Sequence, residues 1–106
     1  MQIQINTDHN IQGSESLEAS VDSLIKQHLE RFFPYLTRIE VHLADANGAK
    51  GGAHDKQCAI EARISSGPPI GVSQDDESME KAIHGACQKM RTRLDSSIGQ
   101  RRGHQA

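Results

Sequence analysis

The chain has 106 residues, 35% apolar side chains and three aromatics, Phe32, Phe33 and Tyr35. That suits a single domain burying about 60–70% of its unfolded surface around a core of Ile, Leu, Val, Met and Ala. A net charge of −2 excludes a uniformly basic nucleic-acid binder, and no apolar run approaches a membrane span.

Met1 to Asn6 alternates, with Ile3 and Ile5 on one face and Gln2, Gln4 and Asn6 on the other, which predicts a short half-buried strand. Thr7 to Gly13 is polar and turn-like. Ser14 can cap a helix, with Glu15 and Glu18 in its first turn to meet the positive end of the dipole. Leu17, Val21, Leu24, Ile25, Leu29 and Phe32 follow at helical spacing, and Pro34 is expected to end the helix after Phe33.

Arg38 to Leu43 alternates again, with Ile39, Val41 and Leu43 on its dry side. The stretch NGAKGGAHDK, residues 47–56, holds three glycines and two lysines, and its G-A-K-G matches the G-x-x-G grip of some RNA-binding domains. That grip needs flanking helices. Here the flanks are strands, so the stretch is expected to be a long hairpin connection from which Lys50 and Lys56 could brush RNA. Cys58, Ile60, Ala62 and Ile64 mark a third strand, and Gly67-Pro68-Pro69 turns the chain into a short fourth one, Ile70 to Ser73, at an edge.

Asp75, Asp76 and Glu77 are expected to open the last helix as caps rather than as a metal cluster. Met79, Ile83, Ala86, Cys87, Met90 and Leu94 form its apolar stripe. Gly99 to Ala106 is expected to be a flexible basic tail to a single domain of residues 1–98. The β-α-β-β-β-α order implies an α+β two-layer sandwich, a four-stranded sheet with both helices packed on one face.

Enzyme chemistry finds no support. The chain has no G-x-S-x-G elbow, no G-x-x-x-x-G-K-[ST] loop and no H-E-x-x-H. His42, His54 and Cys58 surround one hairpin, but alternation puts His42 and Cys58 on opposite faces, so no metal or other cofactor is expected. Cys58 and Cys87 are expected to be reduced core residues, and His28 a half-buried packing residue rather than a general base.

Charge is unevenly spread. Residues 1–80 carry six Lys/Arg against thirteen Asp/Glu, or −7, while residues 81–106 carry six against one, or +5. The single acid of the second segment is Asp95. An ordinary exposed helix face mixes both signs, so the basic last helix points to an anionic partner.

From M-Q-I-Q-I to the R-T-R-L of D-D-E-S-M-E-K-A-I-H-G-A-C-Q-K-M-R-T-R-L, over residues 1–98, the chain resembles the ribosome hibernation-promoting factor and ribosome-associated inhibitor family. The resemblance lies in the element order, the apolar spacing and the acid-led final helix. It implies a non-catalytic protein that occupies the messenger and transfer RNA channel of the small ribosomal subunit and silences translation in stressed or resting cells. It also implies that basic residues on the two helices face ribosomal RNA. Lys89 matches a family lysine, whereas Thr92 stands where the family often has arginine and Met79 where it often has tyrosine. The RNA-facing set expected here is Lys81, Lys89, Arg91, Arg93, Arg101 and Arg102, with Lys26 and Arg31 from the first helix.

The resemblance is to a short form, without the second domain by which long members pair ribosomes. The expected partners are the small subunit and its ribosomal RNA, with no DNA and no membrane. The protein is expected to be cytoplasmic, and a monomer off the ribosome. A rival reading follows from the −7 balance: a protein-interaction module whose acidic surface meets a basic partner.

Overall fold

The computed structural model describes residues 1–8, 15–45, 55–65 and 67–103, the last five by backbone alone. Its strands are β1 (Gln2–Thr7), β2 (Leu36–Asp45), β3 (Lys56–Ile64) and β4 (Ile70–Asp76). Its helices are α1 (Glu15–Leu29) and α2 (Met79–Gly103), and a 3-10 helix, Glu30–Tyr35, follows α1. The expected α+β order is the observed one. Ser14 and the 47–54 part of the glycine-rich stretch lie outside the described residues.

The four strands are ordered β1-β2-β3-β4. β1 runs parallel to β2, with Ile3 opposite Ile39, because the α1 connection brings the chain back to the same end of the sheet. The β2–β3 and β3–β4 pairs are antiparallel, and β4 lies at an edge as expected. Alternation then sends Ile39, Val41, Leu43, Cys58, Ile60, Ala62 and Ile64 to one buried face.

Both helices cover that face. α1 contributes Val21, Ile25 and Leu29, all fully buried, and α2 contributes Ala82, Ile83, Ala86, Cys87, Met90, Leu94 and Ile98. Each fully buried Leu or Ile is worth about 1.5–3 kcal/mol of transfer free energy, so this shared seam holds the two layers together. Gly85 lets β4 lie close to α2, since a Cβ there would stand 2.6 Å from Gln74 Cγ.

Several boundaries differ from expectation, most of them for a local reason. α1 stops at Leu29 and the chain tightens into the 3-10 helix, which contains Pro34. A proline ring clashes with the carbonyl four residues back, and for Pro34 that residue is Glu30, where the α-helical ladder ends. β2 begins at Leu36, and a register shift between Leu36 and Arg38 turns both Leu36 and Ile39 inward. Three-residue spacing cannot be strict alternation, so the bulge is invisible to a period of two.

β4 runs on through Asp75 and Asp76, which pair with Gln57 and Lys56. Those two acids therefore do not open α2. Its N-cap is Ser78, whose hydroxyl accepts the Lys81 amide at 3.2 Å, while its carbonyl accepts the Ala82 amide at 3.0 Å. Finally, the backbone of α2 continues to Gly103, past the expected start of the tail at residue 99.

Candidate nucleic-acid interface

The eight expected RNA-facing cations do not form one stripe. On an α-helix Lys89 and Arg91 point about 160° apart, so α2 sends its charges to both flanks. One group gathers at the seam between α1 and α2, where Lys26, Arg31 and Arg91 line a shallow groove with His28, Glu30 and Asp95. The other lies between α2 and β4, where Lys81 and Lys89 line a second groove with Gln74, Asp76, Gln88 and Thr92. Arg93 is exposed. Arg101 and Arg102 lie on the helical backbone of α2, and their side chains are outside the described residues.

At the seam Arg31 binds Asp95 through both carboxylate oxygens, each at 2.7 Å, with its guanidinium 4.6 Å from the Phe32 ring centroid. This bond ties the 3-10 helix to α2. Lys26 pairs with Asp22 one turn back at 2.9 Å, and the Asp22 hydrogen bond raises the lysine pKa. His28 of α1 and His84 of α2 meet edge to face, Nε2 to Nδ1 at 3.4 Å with ring centroids 5.3 Å apart. Burial, followed by the fields of His84 and Arg91, holds the His28 imidazole below its ordinary range.

In the second groove Lys81 pairs with Glu77 at 2.6 Å, and that hydrogen bond raises its pKa. Lys89 donates to the Ser73 carbonyl of β4 at 2.8 Å. Arg91 and Arg93 are then the cations of α2, up to residue 98, that make no ion pair or hydrogen bond among the described residues. Pairing of this kind lives in space rather than in sequence, and only the i,i+4 spacings of Asp22–Lys26 and Glu77–Lys81 could have announced it.

Much of the acidic excess is also spoken for. On the open face of the sheet Glu40 binds Arg38 and lies 3.6 Å from Arg63, while Arg63 reaches Glu61 at 3.2 Å. The Arg38 hydrogen bond holds the Glu40 carboxyl below the usual carboxylate range. At the base of the β2–β3 hairpin Lys56 lies 3.1 Å from Asp55 and 3.3 Å from Asp45. Both acids are buried, and Lys56 is thus held as a structural cation rather than free to brush RNA. Lys50 and His54 fall outside the described residues, and among the described residues no three His, Cys, Asp or Glu gather as metal ligands.

Fold and surface together define a small α+β domain whose two helices, the last of them basic, cover one face of its sheet. The chain belongs to the family described as sigma 54 modulation protein / S30EA ribosomal protein, which it matches over residues 3–102. The expected resemblance to the hibernation-promoting factors is borne out by that match. No curated protein sequence matches the chain. Among solved structures it is similar to a ribosomal subunit interface protein from Coxiella burnetii, with a TM-score of 0.78 at 14% identity. That similarity covers 93% of this chain and 99% of the other. The Protein Y N-terminal domain of Thermus thermophilus is also similar, with a TM-score of 0.73 at 17% identity over 91% of this chain and 98% of that one.

Proposed function

We propose that this protein binds the small ribosomal subunit and blocks translation by occupancy, without catalysis. The domain fills the channel used by messenger and transfer RNA, and Arg91, Arg93 and their neighbours neutralise ribosomal RNA phosphates. The protein acts in the cytoplasm of stressed or resting cells and is a monomer when off the ribosome. Family membership over residues 3–102 carries the reading. The similar folds of a ribosomal subunit interface protein and of Protein Y support it. Among the described residues no helix is long and apolar enough to cross a membrane.

The rival reading, an acidic docking module, loses ground because Glu40, Glu61, Asp45 and Asp55 already meet cations within the fold. Sedimentation of a stationary-phase lysate through a low-salt sucrose gradient tests the proposal. The protein should travel with small subunits or whole ribosomes and leave them as salt rises, because phosphate contacts displace counterions. Protein confined to the top of the gradient at low salt would overturn it.

A further inference from the structure

The His28–His84 contact has no place in a simple charge-neutralising surface. It joins the two helices at the seam whose cations include Arg91, and the rings face each other nitrogen to nitrogen at 3.4 Å. A neutral pair places one N–H between those nitrogens. The Nδ1 atom of His28 is buried and has no hydrogen-bond partner among the described residues, so the ring gains little there from carrying another proton.

The charged groups that line the two grooves flanking the pair come from α1, the 3-10 helix, α2 and β4, and Glu80 stands one turn before His84 on α2. From α1 and the 3-10 helix they are Lys26, Glu30 and Arg31. From α2 they are Arg91 and Asp95 on one side, with Lys81 and Lys89 on the other, and from β4 Asp76. Lys26, Arg31 and Lys81 are matched by Asp22, Asp95 and Glu77. Among the described residues Arg91 makes no ion pair, and burial first, then His84 and then Arg91 oppose a proton on His28.

We propose that the His28–His84 pair makes RNA binding at the α1–α2 seam proton-linked, so that the protein holds RNA phosphate more tightly as pH falls. This rests on the ribosome-binding reading above and adds regulation to it. A phosphodiester seated against Arg91 and Lys26 brings a negative charge to the groove that His28 also lines and offsets the field of Arg91, the part of the opposition to a His28 proton that is not burial or His84. Binding then takes up a proton, and by linkage the proton strengthens binding. The ligand class is a phosphodiester backbone, which has no titration of its own near neutrality.

Affinity for purified small ribosomal subunits, measured at fixed ionic strength between about pH 8 and about pH 6, tests this across the imidazole range. The wild-type protein should gain affinity on acidification by up to about tenfold per pH unit, the limit for one linked proton. The His28→Gln/His84→Gln double variant, checked for folding by thermal melting, should lose that slope. If the variant does not fold, imidazole NMR of the wild-type protein replaces it. The His28 ring should then titrate at higher pH with a short single-stranded RNA bound than without. A flat wild-type profile, a slope that survives in the double variant, or imidazole titrations unmoved by RNA would overturn the inference while leaving ribosome binding intact. A wild-type protein that binds no subunits at any pH would instead remove the ribosome-binding reading, and this inference with it.

Discussion

Replacing Arg91 and Arg93 together with Gln isolates the two cations that make no ion pair or hydrogen bond among the described residues. Glutamine removes charge without adding repulsion, and both sites are exposed, so the fold should lose no more than about 0.5 kcal/mol. Lys89 is left alone because its ammonium also holds the Ser73 carbonyl of β4. Each phosphate contact contributes about 0.7–0.9 to the slope of log affinity against log salt, so the pair contributes about 1.4–1.8. Over a fourfold rise in salt the wild-type protein should therefore lose about 7- to 12-fold more affinity than the variant. Binding to labelled small subunits across a potassium chloride series gives both slopes. Equal slopes would show that neither arginine meets a phosphate, and that RNA binds elsewhere or not at all.

Two further outcomes are expected. Asp95→Asn breaks the bidentate pair with Arg31, but both side chains are more than half exposed, so urea unfolding should register a loss of no more than about 1 kcal/mol. The same change frees Arg31 and removes the sole acid of the basic segment, so subunit affinity should rise; a fall would place Asp95 itself on the binding surface. Burial pushes the thiols of Cys58 and Cys87 up to about 12, so both should resist Ellman's reagent at neutral pH until urea exposes them. Because the folded pKa values lie above the unfolded value of 9.0, this contribution to stability is complete below 9.0 and is lost as pH climbs from there towards about 12. Rapid labelling of the native protein would refute the burial argument.

The element order was legible because each element carries its period on its face. Ile39, Val41 and Leu43 alternate, and Val21, Ile25 and Leu29 recur every four residues; all six are buried on the side that the pattern assigned. Boundaries were less legible. Asp75 and Asp76 look like a helix start, yet strand pairing with Gln57 and Lys56 claims them, and Ser78 supplies the cap three residues before Lys81. Local capping preference, about 1 kcal/mol, yields to a continuous strand ladder. The candidate site was the least legible part. The +5 balance marked α2 as basic, but it could not show that α2 divides its cations between two grooves.

Composition, period and punctuation thus determined by themselves a two-layer α+β domain and a basic final helix. These signals are local, and each survives in a short window of chain. The tertiary structure alone decided which charges cancel and which remain. Arg31 meets Asp95 across 64 positions, and His28 meets His84 across 56. Such encounters depend on how α1 lies against α2, and that is set by the interlocking of Val21, Ile25 and Leu29 with the α2 stripe rather than by any spacing along the chain.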